Sequence, residues 1–149
     1  MADIYVVTKS NEALAAATAE TIIQLVTPST VRARLIEFGV FFDGVTSTAE
    51  PVDVALSRQT TAGTASAGTV SPLDAGAPTG LTTAQITFTV EPTTTIELGR
   101  WMVHPQGGAL VIKYDLWAEA PVMNVSTRLA LICTAAAVVN VSAYMKFCE

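Results

Sequence analysis

Apolar and polar residues alternate with period two along most of the chain, which is typical of β-strands with one buried face. The last segment is the clearest, because Val139, Val141, Ala143, Met145 and Phe147 share one face. The alternating residues are mainly β-branched or aromatic, as strands favour. The pattern predicts eight to nine short strands, at residues 4–8, 21–26, 31–42, 52–57, 85–90, 96–104, 110–116, 127–134 and 139–148.

The third of these segments changes phase. Ala33 and Leu35 share one face, whereas Ile36, Phe38 and Val40 share the other. One extra residue in a strand shifts the phase in this way, so the pattern predicts a β-bulge near Leu35 and Ile36.

Turn residues separate the predicted strands, among them Asp43-Gly44 and the run from His104 to Gly108. Short strands with regular turns are typical of an all-β sandwich or barrel. The chain of 149 residues has the length of one domain, and we expect a single domain over residues 1–149. Only residues 11–21 compete as a helix, and we interpret them as a loop entering a strand, with at most one helical turn.

Residues 60–83 consist almost entirely of Thr, Ala, Gly, Ser and Pro, and we interpret them as a long loop within the domain. Loops of this length in compact domains are usually functional or flexible. Small uncharged side chains allow close packing against another chain, which makes Thr61, Thr64, Ser66 and Thr69 candidate interface residues. A solvated loop without a partner is the open alternative.

The composition excludes several classes of protein. Half of the residues are hydrophobic and 14% are charged, which excludes a disordered chain. The apolar runs are too short for a membrane span, and no secretory signal is visible. The net charge is −5 with scattered basic residues, so we expect neither nucleic-acid binding nor docking to an anionic membrane. An ordinary soluble domain carries about 25% charged residues, so the low value suggests an exterior partly covered by copies of the chain or by a partner.

Catalytic and metal-binding patterns are absent from the sequence. His104 is the only histidine, and there is no Gly-x-Ser-x-Gly motif, no Cys-x-x-Cys pair and no phosphate-binding glycine loop. Glu91, Glu97 and Glu119 are interpreted as solvated acids rather than a glycosidase pair. We therefore expect no enzymatic activity, cofactor or metal.

The two cysteines, Cys133 and Cys148, are expected to stay reduced. If residues 127–134 and 139–148 form a hairpin, Cys133 lies opposite Asn140 and Cys148 lies roughly 25 Å away along the strand. A disulfide needs Cα atoms within about 7 Å.

Arg100 and Trp101 are adjacent, and an exposed pair of this kind is a good interface anchor. Trp in a strand is more often a core residue, so a core position is the favoured alternative for Trp101. Arg100, Trp101 and the neighbouring His104 complete the candidate interface residues.

Four stretches together carry a family resemblance: residues 34–44, 54–64, 101–108 and 139–147. They resemble small virion-associated proteins of tailed bacteriophages. The resemblance implies a jelly-roll-like β-sandwich and a head decoration (cement) protein, made in the host cytoplasm and bound to the major capsid protein lattice on the virion surface. It also implies a homo-oligomer, with a trimer favoured. No functional residue can be transferred, because the matching motifs are structural.

Two other hypotheses remain open. The protein could be a tail or baseplate component or a host-receptor binder, with Trp101, Trp117, Tyr114 and Tyr144 as aromatic candidates for a carbohydrate groove. An enzyme with a jelly-roll core would need several His or Glu metal ligands, which a single histidine makes a poor match.

Overall fold

A computed structural model describes residues 2–44 and 49–149 of the chain. These residues form strands, turns and loops, with no helix, and therefore contain no helical segment that could cross a membrane. The strands are β1 (Ile4–Leu14), β2 (Ala19–Val26), β3 (Ala33–Phe42), β4 (Val52–Gln59), β5 (Thr64–Gly68), β6 (Val70–Pro72), β7 (Thr83–Val90), β8 (Thr94–Val103), β9 (Ala109–Lys113), β10 (Val122–Met123), β11 (Arg128–Thr134) and β12 (Val139–Cys148).

The strands form two antiparallel sheets that pack face to face. The first sheet has the order β10-β3-β12-β1-β6, with β9 also paired to β3, and the second has the order β5-β7-β2-β11-β4-β8. Without β5, β6 and β7, the two sheets reduce to β9/β10-β3-β12-β1 and β2-β11-β4-β8. Most successive strands of this reduced set then alternate between the sheets, as in a jelly roll. The predicted all-β antiparallel sandwich is confirmed, with twelve strands among the described residues instead of eight to nine.

Alternate residues of both sheets fill the space between them. Leu35, Phe38 and Val40 of β3 are fully buried, and Leu129 and Leu131 of β11 are fully buried in the opposite sheet. Each large apolar side chain buried in this way contributes about 1.5–3 kcal/mol to folding. The period-two pattern of the sequence is thus explained by one common core.

The bulge predicted in β3 is present. Lys146 of β12 lies opposite Glu37, and the next residue, Phe147, lies opposite Leu35. Ile36 is therefore the extra residue, at the position where the apolar pattern changes phase.

Residues 11–21 contain no helix, and the expectation of a loop over this whole segment is wrong for residues 11–14. β1 continues to Leu14 and pairs with β12, with Leu14 opposite Val139. The strand passes through a bulge at Asn11, whose φ of 58° is a conformation that Asn tolerates better than most residues. Pairing with β12 therefore overrides the helix propensity of the alanines.

The segment 60–83 is not one long loop. β5 and β6 lie within it, where β5 pairs with β7 and β6 pairs with β1. Side chains this small give no alternating pattern, but backbone hydrogen bonds between strands do not depend on side-chain size. Residues 60–63 and the longer stretch between β6 and β7 remain loops. The Glu149 carboxylate fixes the longer loop by accepting hydrogen bonds from the N–H groups of Leu81 and Thr82.

β11 and β12 do not form the predicted hairpin. β11 lies in the second sheet between β2 and β4, whereas β12 lies in the first sheet between β1 and β3. The link between them crosses from one sheet to the other. Cys133 and Cys148 are both free, as expected, and both are buried. They are apart because they lie in different sheets, and not because they lie at different positions along one hairpin.

Candidate functional site

The seven candidate interface residues fall into two groups on opposite edges of the second sheet. Thr64 and Ser66 lie in β5, and Thr61 and Thr69 flank it. Arg100 and Trp101 lie in β8, with His104 just beyond its end. All are exposed except Trp101, which is half-buried. The structure therefore separates the two groups by the width of the sheet.

β8 pairs with β4 on one side, and its other side meets no strand among the described residues. We call this free side the β8 edge. Its strand is ten residues long and exposes three large apolar side chains, those of Ile96 (55%), Leu98 (40%) and Met102 (64%). A long edge strand with exposed apolar side chains is a common site of association.

The register of β8 against β4 shifts at Leu98. Leu56 lies opposite Gly99, and the next residue of β4, Ser57, lies opposite Glu97. Leu98 is thus the extra residue of a β-bulge. Glu97 lies opposite Ser57 and Arg100 lies opposite Ala55, two positions apart in β4. Both charged residues are therefore on the outer face of the sheet.

Arg100 is the centre of a charge cluster on that face. Its guanidinium contacts the Asp53 carboxylate and donates hydrogen bonds to Glu97 Oε2 from Nε (2.9 Å) and Nη2 (2.6 Å). These hydrogen bonds hold the pKa of Glu97 below its usual range. Arg100 itself is 54% exposed, so the cluster is accessible to a partner.

Trp101 differs from the interface expectation, because its ring lies on the inner face of β8. The ring packs against Phe38 of the opposite sheet, with 5.4 Å between ring centroids. It also lies over Gly99, where a Cβ atom would overlap the indole. Trp101 is therefore a core residue first.

His104 lies in an exposed turn, and its Nδ1 accepts a hydrogen bond from the Gln106 N–H at 3.1 Å. This contact stabilises the turn. It matches the alternative in which His104 is a turn residue.

The four aromatic residues considered for a carbohydrate groove occupy separate places. Trp101 and Tyr114 are both half-buried and pack against the hydrophobic core. Tyr144 lies on the outer face of the first sheet, stacked on Phe41. Trp117 is 60% exposed, with the Arg34 guanidinium 4.4 Å from its ring centroid. They form no common groove.

Two of the three acids considered for catalysis, Glu91 and Glu97, line one groove of about 330 Å³ on the outer face of the second sheet. Glu119 is elsewhere, in an exposed turn after β9. Glu97 is paired with Arg100, and Glu91 accepts a hydrogen bond from the Thr21 N–H at 2.9 Å. Among residues 2–44 and 49–149, no three His, Cys, Asp or Glu side chains are placed to hold a metal ion.

Sequence reasoning missed Ile96, Glu97 and Leu98 as parts of the β8 edge, and Asp53 of β4 as a partner of Arg100. The sequence does contain a pattern that indicates the bulge. Leu98, Arg100 and Met102 alternate with period two, whereas Glu97 shares their face although it is out of phase with them. Which strand would be an edge could not be read from that pattern. No protein-family model, curated protein or solved structure matches this chain.

Proposed function

We propose that this protein is a non-enzymatic structural component of a tailed bacteriophage virion, a decoration protein that binds the outer capsid lattice and stabilises the head. The observation that carries the proposal is the exterior of the sandwich. Thirteen large apolar side chains of the described residues are 39–73% exposed, on a chain of which 14% is charged. An ordinary soluble domain is about 25% charged, so this weakly charged exterior supports a protein whose surface is partly covered by other protein chains.

The titratable groups on the described surface support a structural role over a catalytic one. Glu97 is held by Arg100, Glu37 is held by Lys146 and Tyr144, and His104 caps its own turn. Catalytic acids and bases need pKa values near the working pH. The pKa values of Glu37 and Glu97 are shifted downwards, away from that range.

The mechanism of a decoration protein is mechanical. A rigid sandwich carries loops at both of its ends, where they contact neighbouring capsid subunits. Each contact is weak, but contacts repeated over a closed shell add by multivalency. The protein is made in the host cytoplasm and acts as a homo-oligomer on the capsid surface.

The test is binding to heads purified from a phage strain that lacks the gene for this chain. We expect the protein to sediment with assembled heads and not with free coat subunits, and to raise the temperature at which heads release DNA. Sedimentation with free subunits, or no effect on DNA release, would contradict the proposal.

Two variants identify the end of the sandwich that meets the shell. Val138 (73% exposed) lies in the link before β12, beyond the Phe42 end of β3, and Leu116 (61% exposed) lies beyond the Arg34 end. We expect only one of Val138→Asp and Leu116→Asp to weaken head binding. Thr8→Asp, at an exposed polar position midway along β1 and away from both ends, is the matched control.

One observation favours host-receptor binding as a second candidate. The exposed Trp117 ring, stacked by Arg34, is a single platform on which a sugar ring can pack. Glycan-array binding that Trp117→Ala abolishes and Leu116→Ala retains would support this function, particularly if the protein does not bind heads.

A further inference from the structure

The β8 edge carries charges that are complementary to themselves. In a regular strand, residues three apart point to opposite faces. The bulge at Leu98 removes this constraint and places Glu97 and Arg100 on the same outer face. An acid and a base on one face, separated by two residues, can pair twice with an inverted copy of the same strand.

We propose that the β8 edge binds the β8 edge of a second copy of this chain, antiparallel about a two-fold axis between Leu98 and Gly99. Each Glu97 then lies across from Arg100 of the second copy. On the inner face, Ile96 lies across from Trp101 of the second copy. Opposite charges and apolar–aromatic pairs at directly opposed positions each stabilise an antiparallel pair.

The occupant is a second copy because the charge order matches only an inverted identical strand. Charged side chains on an edge normally prevent pairing when they meet like charges. In the proposed register, Glu97 of each copy lies opposite Arg100 of the other. These two residues therefore favour this alignment of the two strands over others. Both strands carry the Leu98 bulge at the axis, and a second register shift at Thr95 limits the proposed pairing to the segment from Ile96 to Trp101.

The other free edges of the two sheets are less suited to this pairing. β5 contains no charged residue, and β6 is three residues long and ends in Pro72, which has no N–H to donate. β9 and β10, at the other edge of the first sheet, have five and two residues, and of these only Val111 is a large apolar side chain with high exposure. β8 is the longest of the edge strands and exposes three large apolar side chains.

The inference does not depend on the proposed function, because the pair forms from this chain alone. It replaces the trimer that the family resemblance implies with a two-fold pair as the first state of association. Two-fold symmetry makes such an interface isologous, with the same residues contributed by both chains.

The first test is the solution mass of the purified protein by light scattering at micromolar concentration. We expect about 31 kDa, twice the 15.6 kDa of one chain. A mass of one chain or of three chains would overturn the proposal. Neither result bears on head binding, so failure here is distinguishable from failure of the proposed function.

The second test is a charge swap. Glu97→Arg places Arg against Arg across the axis, and Arg100→Glu places Glu against Glu, so each single variant should have the mass of one chain. The double variant E97R/R100E restores opposite pairs and should regain the mass of two chains. A mixture of the two single variants should form a heterodimer, because every opposed pair is then complementary.

Recovery in the double variant and in the mixture shows that the single variants are folded. Asp115→Lys is the control, since it reverses the more exposed partner of an ion pair, Lys113–Asp115, just after β9 in the other sheet. Its mass should equal that of the wild type. Single variants that keep the mass of two chains, or a mixture without heterodimer, would overturn the proposed register.

Discussion

Three residues on the outer face of the first sheet form a small hydrogen-bonded cluster. The Tyr144 hydroxyl and the Lys146 ammonium both donate to Glu37 Oε1, at 2.5 and 2.8 Å. The Tyr144 ring lies over Gly39, where any Cβ would overlap it, and stacks on Phe41. The hydrogen bonds from Lys146 and Tyr144 lower the pKa of Glu37. Burial and the Glu37 carboxylate raise the pKa of Tyr144 to about 12.

These opposite shifts predict how stability depends on pH. The Glu37 contribution is present above the ordinary carboxyl pKa of 4.5 and is lost as the pH falls through the lowered value. The Tyr144 contribution is present below the ordinary phenol pKa of 10.0 and is lost as the pH rises towards about 12. The measurement is the urea concentration at the midpoint of unfolding, determined over a range of pH. We expect this midpoint to depend less on pH in the acid range for Glu37→Gln, and less on pH in the alkaline range for Tyr144→Phe.

Glu119→Gln serves as the control for the acid side, because Glu119 is exposed and makes no ion pair with a described residue. Burial also raises the pKa values of Tyr5 and Tyr114, so ultraviolet titration of the wild type should show late ionisation, and the step near pH 12 should be missing in Tyr144→Phe. An unchanged alkaline profile in Tyr144→Phe would contradict the assignment.

At the scale of single strands, β7 contains a strained residue. Thr87 has a φ of 51°, a left-handed conformation that is costly for a β-branched side chain. Ala65 of β5 lies opposite Phe88, and Ser66 lies opposite Ile86, so Thr87 is the extra residue of a bulge. Strain of this kind costs about 1–3 kcal/mol.

We expect Thr87→Gly to stabilise the protein, because relief of strain exceeds the cost of about 0.5–1 kcal/mol for glycine in a strand. The melting temperature should rise by about 2–4 °C for each kcal/mol gained. Thr89→Gly in the same strand is the control and should lower it, since the φ of Thr89 is not left-handed. A lower melting temperature for Thr87→Gly would show that Thr87 is not strained.

The sequence pattern identified nine strands and missed β5, β6 and β10, which have five, three and two residues. β5 is formed by Thr64, Ala65, Ser66, Ala67 and Gly68, which have no apolar alternation, and β10 has only two residues. The bulge in β3 was readable because it shifts large apolar side chains, whereas that in β8 was not recognised. The pairing of strands could not be predicted, because alternation shows which face of a strand is buried but not which strand lies beside it. The hairpin predicted for β11 and β12 failed for that reason.

For the molecule as a whole, packing of the two sheets should protect both thiols. Cys133 is fully buried in the core, and burial raises the pKa of its thiol. Cys148 is 4% exposed in the other sheet. We expect neither to react with a disulfide reagent in the native protein, and both to react as urea unfolds it, because thiolate formation requires access to water.

A reductant should leave the melting temperature unchanged, since both cysteines are free. Cys148→Ala is the control and should keep the slow labelling of Cys133. A melting temperature that falls on reduction would reveal a disulfide and contradict the free thiols.

The sequence by itself determined the class of fold and the buried face of most strands, because the side-chain period of a strand is local and a single core selects it. It also determined the apolar, weakly charged exterior. Only the tertiary structure decided which strands are neighbours, that segment 60–83 supplies two edge strands, and that Trp101 faces the core. It alone brought Glu97 and Arg100 onto one face of a free edge. These features depend on contacts between residues distant in the chain, which no local pattern encodes.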